Sequence, residues 1–203
     1  LNDFQAVDDR ILKVLKIALL VGISTLIINQ VIPDLLGKLF YNRNDLGGFI
    51  KFASISSVVS YISSPTFGIL NGLGKQNIIL KSSLIISVQS LVLVYLLAGI
   101  PKLNIYGYGI TMAVTSFTAL ILNMHAIKKI THLRLPVADT IVYSLIGIFS
   151  YFVLEMFCDI IPDSLPILKA GSVCILGFVL VFSLSRFADS MAQLSHPHIP
   201  GAF

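Results

Sequence analysis

Long, unbroken apolar runs dominate this chain and restrict what it can fold into. Six stretches approach or exceed about 20 residues, the length a helix needs to cross the hydrocarbon core of a bilayer. They run from Ile11 to Ile32, Gly47 to Leu70, Ile78 to Ala98, Tyr106 to Ile127, Pro136 or Val137 to Ile161, and Leu165 to Phe187. Pro33, Pro101 and Pro162 stand at or just past three of the ends, where a helix has to stop or turn. Barrel strands alternate apolar and polar residues over about 10 positions, and these runs do not alternate. The first run is too long for a signal peptide and carries an acidic leader, Asp3, Asp8 and Asp9. The expectation is an all-α, polytopic membrane protein with six transmembrane helices.

Composition agrees. Hydrophobic residues make up 56% and charged residues 12%, with a mean hydropathy of +0.90. A soluble domain carries about 25% charge to cover its surface. The same figures exclude a disordered chain, a collagen, a disulfide-rich module and a nucleic-acid arm. The net charge of +4 does not form a basic stripe with interleaved aromatics, so no nucleic-acid partner is expected. Cys158 and Cys174 lie in or beside apolar runs, without metal-ligand or redox spacing, and read as small buried hydrophobes.

The basic residues mark helix ends instead. With the N-terminus cytoplasmic, nine fall inside: Arg10, Lys13, Lys16, Lys75, Lys81, Lys128, Lys129, Arg134 and Arg186. Five fall outside: Lys38, Arg43, Lys51, Lys102 and Lys169. That bias predicts an N-in, C-in orientation. Short links at 71–77, 99–105 and 128–135 make sequential helices antiparallel neighbours. Residues 1–130 hold four spans, 131–187 hold a final pair, and 188–203 read as an unstructured cytoplasmic tail containing His196 and His198. The chain opens on Leu1 and enters its first span almost at once, which reads as the C-terminal part of a longer protein.

No motif carries catalysis. Gly72-Leu73-Gly74-Lys75 lacks the upstream glycine of a phosphate loop, and Gln76 stands where Ser or Thr is needed. Gly107-Tyr108-Gly109 lacks its third glycine. His125 and His132 have no metal-ligand spacing. Neither an enzyme activity nor a cofactor or metal is expected.

The second run is the most informative. Ser54, Ser56, Ser57, Ser60, Ser63 and Ser64 crowd one helix, followed by Pro65, Gly68 and Gly72. Gly68-x-x-x-Gly72 offers a surface for close helix packing, and Pro65 offers a hinge. The hydroxyls suit either tight packing or an aqueous path. Lys51 and Lys81 sit near helix ends and can snorkel. Glu155 and Lys169 lie at similar depth on adjacent helices and are expected to pair. Gln89 is the deepest polar residue, and Asn123 lies one turn inside the fourth span. The first four spans hold no deep Asp or Glu, which ion-driven pumps usually need.

Several segments resemble a known family. A helix closes on Asp34-Leu35-Leu36-Gly37-Lys38-Leu39-Phe40-Tyr41. The serine-rich helix ends in Ile69-Leu70-Asn71-Gly72-Leu73-Gly74-Lys75-Gln76. Pro101 leads into Ile105-Tyr106-Gly107-Tyr108-Gly109, and the fourth span ends in Lys128-Lys129. This series resembles the C-terminal part of the stage V sporulation protein B family of polysaccharide biosynthesis membrane proteins. That family groups with MurJ-type lipid II flippases in the multidrug/oligosaccharidyl-lipid/polysaccharide flippase superfamily.

The resemblance implies a fold of about 14 helices in two bundles around a central cavity, rocking by alternating access. Residues 1–130 would then be four helices of the second bundle, and the last pair would flank a lipid-binding groove. The partners implied are the bilayer of a bacterial plasma membrane, a polyprenyl-diphosphate-linked sugar, and the N-terminal helices of the same protein. The function implied is flipping of a lipid-linked oligosaccharide or peptidoglycan precursor, in cell-wall or sporulation chemistry. Lys51, Ser57, Ser60, Gln89 and Asn123 are the cavity candidates. A multidrug/cation antiporter of the same superfamily and a non-transporting membrane scaffold are the alternatives.

Overall fold

The computed structural model describes residues 2–101, 103, 105–131, 137–162 and 165–195. Lys102, His132, Arg134 and residues 196–203, with His196 and His198, lie outside the described residues. Within them the chain forms seven helices and no strand: α1 (Asn2–Val31), α2 (Pro33–Tyr41), α3 (Gly47–Gly72), α4 (Gln76–Ala98), α5 (Ile105–Ile130), α6 (Val137–Ile160) and α7 (Pro166–Ser195). Five are long and apolar enough to cross a membrane: α1, α4, α5, α6 and α7.

The expected second span, α3, is long enough at 26 residues but is not among those five. Its serines dilute the apolar run. Its place in the bundle explains why it tolerates them. The helix lies between α1 and α5 and makes its largest contacts with those two. A helix covered by protein on two sides needs less apolar surface than one bathed in lipid.

The spatial order is α4, α5, α3, α1, then the α6–α7 hairpin. Short links make α3 and α4 sequential, yet α3 packs mainly on α5 and only lightly on α4. The turn between them uses Gly74, whose φ of +69° is the left-handed conformation that favours glycine. Lys75 N–H bonds Leu70 O at 2.9 Å and Leu73 N–H bonds Ile69 O at 3.0 Å, closing the end of α3. The Gly-Leu-Gly-Lys stretch is therefore a helix stop.

Two further features depart from the expected layout. Pro33 ends α1 and starts a separate short helix, α2, where proline fits the first turn. The expected tail begins as helix: α7 continues through 188–195. The segment Ala-Asp-Ser-Met-Ala-Gln-Leu-Ser holds no proline or glycine to stop it.

The core has two parts. One lies where α1, α6 and α7 meet, around Ile23, Ile27, Ile28, Leu154, Val173 and Val181. The other joins α1, α3 and α5 near the α1 N-terminus, around Ile11, Leu15, Leu70 and Ile127. The backbone of α6 and α7 comes close only to α1 and α2, apart from the contact of the hairpin helices with each other.

Candidate functional site

Two grooves flank the central helix. On one side, α3 and α5 enclose about 490 Å³ lined by Ser56, Ser57, Ser60, Tyr61, Ser64 and Met112. On the other, about 500 Å³ opens between α1, α3 and α6. Ile23 and Ile27 line it from α1, Ile55 and Val58 from α3, Ile148 and Phe152 from α6. Gln30, Ser144 and Tyr151 add its polar groups. The alternation follows from helix geometry: positions 56, 60 and 64 share one face, and positions 55 and 58 share another.

The serines in the first groove are anchored. Ser57 Oγ donates to Ser54 O at 2.6 Å and Ser60 Oγ approaches Ser56 O at 3.3 Å. Ser60 and Ser116 share a hydrogen bond of 2.6 Å across to α5. Each hydroxyl keeps lone pairs for a further partner. Such a surface can hold water or a hydroxyl-rich ligand. Among the described residues no group of three or more His, Cys, Asp or Glu side chains could hold a metal ion.

The expected cavity residues separate into three groups. Ser57 and Ser60 line the hydroxyl groove. Lys51 is exposed and does not line it; its carbonyl accepts from Gln30 Nε2 at 3.0 Å and Ser54 Oγ at 2.7 Å. Gln89 and Asn123 join helices. Gln89 Nε2 donates to Thr118 Oγ1 at 3.0 Å, linking α4 to α5. Asn123 is fully buried and donates through Nδ2 to Thr66 Oγ1 at 2.9 Å, linking α5 to α3. The carbonyl oxygens of both amides are buried without a hydrogen-bond partner among the described residues.

The packing residues also differ from the expected set. Pro65 is half-buried within α3. At Gly68 and Gly72 a Cβ would meet nothing within 4 Å, so this pair makes no close helix contact among the described residues. Close approach falls on other glycines. A Cβ at Gly107 would strike the Leu97 carbonyl, and one at Gly22 would lie 3.3 Å from Val58 Cα. A Cβ at Gly109 would come within 3.0 Å of the Phe52 ring. Glycine spacing alone does not report which helix face turns inward.

One charged staple between distant helices was missed by sequence reasoning. Lys16 on α1 forms an ion pair with Asp189 on α7. Tyr143 on α6 donates its phenol to the other Asp189 oxygen at 2.7 Å, and Lys16 Nζ lies 5.0 Å from the Tyr143 ring centroid. The signal lies in opposite charges near the start of the first helix and the end of the last, but apolar length alone leaves Asp189 in the tail. The expected Glu155–Lys169 pair is not among the ion pairs of the described residues; Glu155 accepts the Tyr151 phenol at 3.2 Å.

The chain matches no family model, no curated protein and no solved structure.

Proposed function

We propose that this chain forms part of a flippase for a lipid-linked oligosaccharide or peptidoglycan precursor, working by alternating access in a bacterial plasma membrane. The observation that carries the proposal is the division of surfaces by α3, with a hydroxyl-lined groove on one face and an apolar groove on the other. A polyprenyl-diphosphate sugar has the same division. Its sugar hydroxyls exchange hydrogen bonds with Ser56, Ser57, Ser60 and Ser64, while its tail occupies the apolar groove. No bond is made or broken. Movement requires helix contacts that can re-form, and short hydroxyl bonds such as Ser60 to Ser116 exchange with water more readily than interlocked apolar side chains. The resemblance to the stage V sporulation protein B family points the same way.

The orientation we propose is N-in and C-in. Lys75, Lys81, Lys128, Lys129 and Arg186 are exposed at the end where α1 starts. The exposed tyrosines Tyr41, Tyr95, Tyr106 and Tyr108 cluster at the opposite end. Positive charge favours the cytoplasmic side.

The test is transport of a fluorescent polyprenyl-diphosphate sugar by the full-length protein in proteoliposomes. Ser57→Leu with Ser60→Leu fills the hydroxyl groove and is expected to slow flipping at least about tenfold, a barrier rise of about 1.4 kcal/mol. The thermal unfolding midpoint of the double variant in detergent shows whether it folds, and Ser60→Ala, which removes one hydroxyl without adding bulk, should slow flipping less. Flipping at the wild-type rate by a folded double variant would overturn the proposal.

A further inference from the structure

Helix α2 is unlike the other six. It has nine residues, too few to span a membrane, and it follows directly on the end of α1. The candidate membrane-crossing part of α1 is 26 residues long, Ala6–Val31. At about 1.5 Å per residue such a helix is about 39 Å long, against a hydrocarbon core of about 30 Å. A helix that starts two residues beyond that span is at the level of the lipid headgroups.

Its side chains are sorted in a way that suits that level. The inward residues are Gly37, which is buried, and Leu35 and Leu36, which pack against the core formed by α1, α6 and α7. Asp34 points at the N-terminus of α3, since a Cβ on Gly47 would collide with its carboxylate. A carboxylate there is favoured by the helix dipole. The outward residues are Lys38, Leu39, Phe40 and Tyr41. Phe40 is 76% exposed and Tyr41 67%. The helix closes at Asn42, whose φ of 54° is left-handed, with its N–H on Lys38 O at 3.1 Å.

We infer that α2 is an interfacial helix whose Leu39, Phe40 and Tyr41 insert among the headgroups and upper acyl chains of the leaflet at this end of the bundle. Two exposed aromatic rings and a leucine beside one lysine match the composition of helices that lie in that layer. Lys38 supplies the charge complementary to lipid phosphate. Arg43 does not, because Asp45 holds it through hydrogen bonds of 2.9 and 2.5 Å. The exposed Tyr95, Tyr106 and Tyr108 belong to the same end and continue the aromatic level around α4 and α5. Because α2 touches α1, α3 and α7, its seat in the lipid fixes the height of both parts of the molecule in the bilayer. This inference needs a membrane but does not depend on what the protein transports.

These 203 residues contain no tryptophan, so an introduced indole is the one indole they contribute to the spectrum. The Phe40→Trp variant is placed in nanodiscs made with lipids brominated either near the carbonyls or near the chain ends, and Tyr41→Trp serves as a second probe. Leu91→Trp, on the 74% exposed middle of α4, is the deep reference. The expected result for Phe40→Trp is blue-shifted emission quenched more by the shallow bromines than by the deep ones, with the order reversed for Leu91→Trp. Red-shifted emission without quenching would place α2 in water and overturn the inference. Blue-shifted emission that neither lipid quenches would mean that protein covers the helix, which overturns it equally.

Discussion

The five helices α1–α5 and the hairpin α6–α7 are both apolar and both pack on α1, yet different chemistry holds them. Inside the first unit, hydrogen bonds between polar side chains join neighbouring helices in addition to the close contacts at Gly22, Gly107 and Gly109. Gln30 reaches Ser54, Ser60 meets Ser116, Asn123 reaches Thr66 and Gln89 reaches Thr118. The hairpin meets α1 through shape. A Cβ at Gly147 would lie 2.7 Å from Ile23 Cγ2, and one at Gly177 would lie 3.0 Å from Ile28 Cγ1. Its one polar attachment to α1 among the hydrogen bonds and ion pairs of the described residues is the Lys16–Asp189 staple. In lipid there is little hydrophobic drive between helices, so both solutions rely on close contact, one directional and the other steric. The directional one sets the register of α3, and the steric one leaves the hairpin to be pinned at one end.

The largest break in this contrast falls in the first unit. Gly107 sits against the backbone of Leu97 and Ala98, which cannot swing aside as a side chain can. Gly107→Ala is expected to cost about 3 kcal/mol, the upper range for overpacking. Thermal unfolding in detergent checks it, and a cost below that of Gly147→Ala, where the added Cβ meets only side-chain atoms, would show that the backbone contact yields as easily as a side chain does.

Next comes the staple. Asp189→Ala leaves the Lys16 ammonium without its carboxylate. Complete burial would make the loss about 3–5 kcal/mol, but both side chains are about one-third exposed, so about 2 kcal/mol is expected. Cys158, at the far end of α6 and only 8% exposed, reports whether losing the staple loosens the whole hairpin. Maleimide labelling of Cys158 should accelerate at least about tenfold, while protease resistance of α3–α5 stays unchanged.

A smaller effect separates direction from shape. Thr66→Val removes the acceptor of the Asn123 amide and should cost about 1 kcal/mol. Adding Asn123→Leu removes the stranded amide as well and should recover most of that loss. Additive losses would show that the bond does not join the helices.

The smallest effect belongs to the exposed loop. The Arg43 guanidinium, then the backbone of Asp45 itself, hold the Asp45 carboxyl below the usual carboxylate range. A lowered carboxylate contributes stability above its unfolded pKa and loses it as pH falls through the folded one. Asp45→Asn should therefore lower stability slightly at neutral pH, and the difference from the wild type should vanish as the pH of the unfolding experiment falls through the folded-state pKa; because the pair is exposed, the effect is the smallest of the set.

The helices were legible because each run is continuously apolar and ends near Pro or Gly. Their partners were not. A helix that is apolar all round carries no period to show which face turns inward, so Gly107 and Gly109 could not be told from Gly68 and Gly72 as contact residues. Serines on α3 were legible as unusual, and Ser57 and Ser60 do line a groove. Asn123 was legible as polar, but its depth between α3 and α5 depends on a helix rotation that no local pattern encodes. The segment Asp34–Tyr41 was legible as helical, but not that Pro33 starts it as a short helix of its own.

The Lys16–Asp189 staple also has a consequence for synthesis. Its two residues are 173 positions apart, so translation makes the lysine long before its carboxylate. At about 20 residues per second, the fast end of ribosomal synthesis, that interval is about 9 s. During those seconds Lys16, about one turn and a half inside the apolar run that begins at Ile11, has no Asp189 to pair with. Helix α7, made after α1, therefore completes the seating of α1.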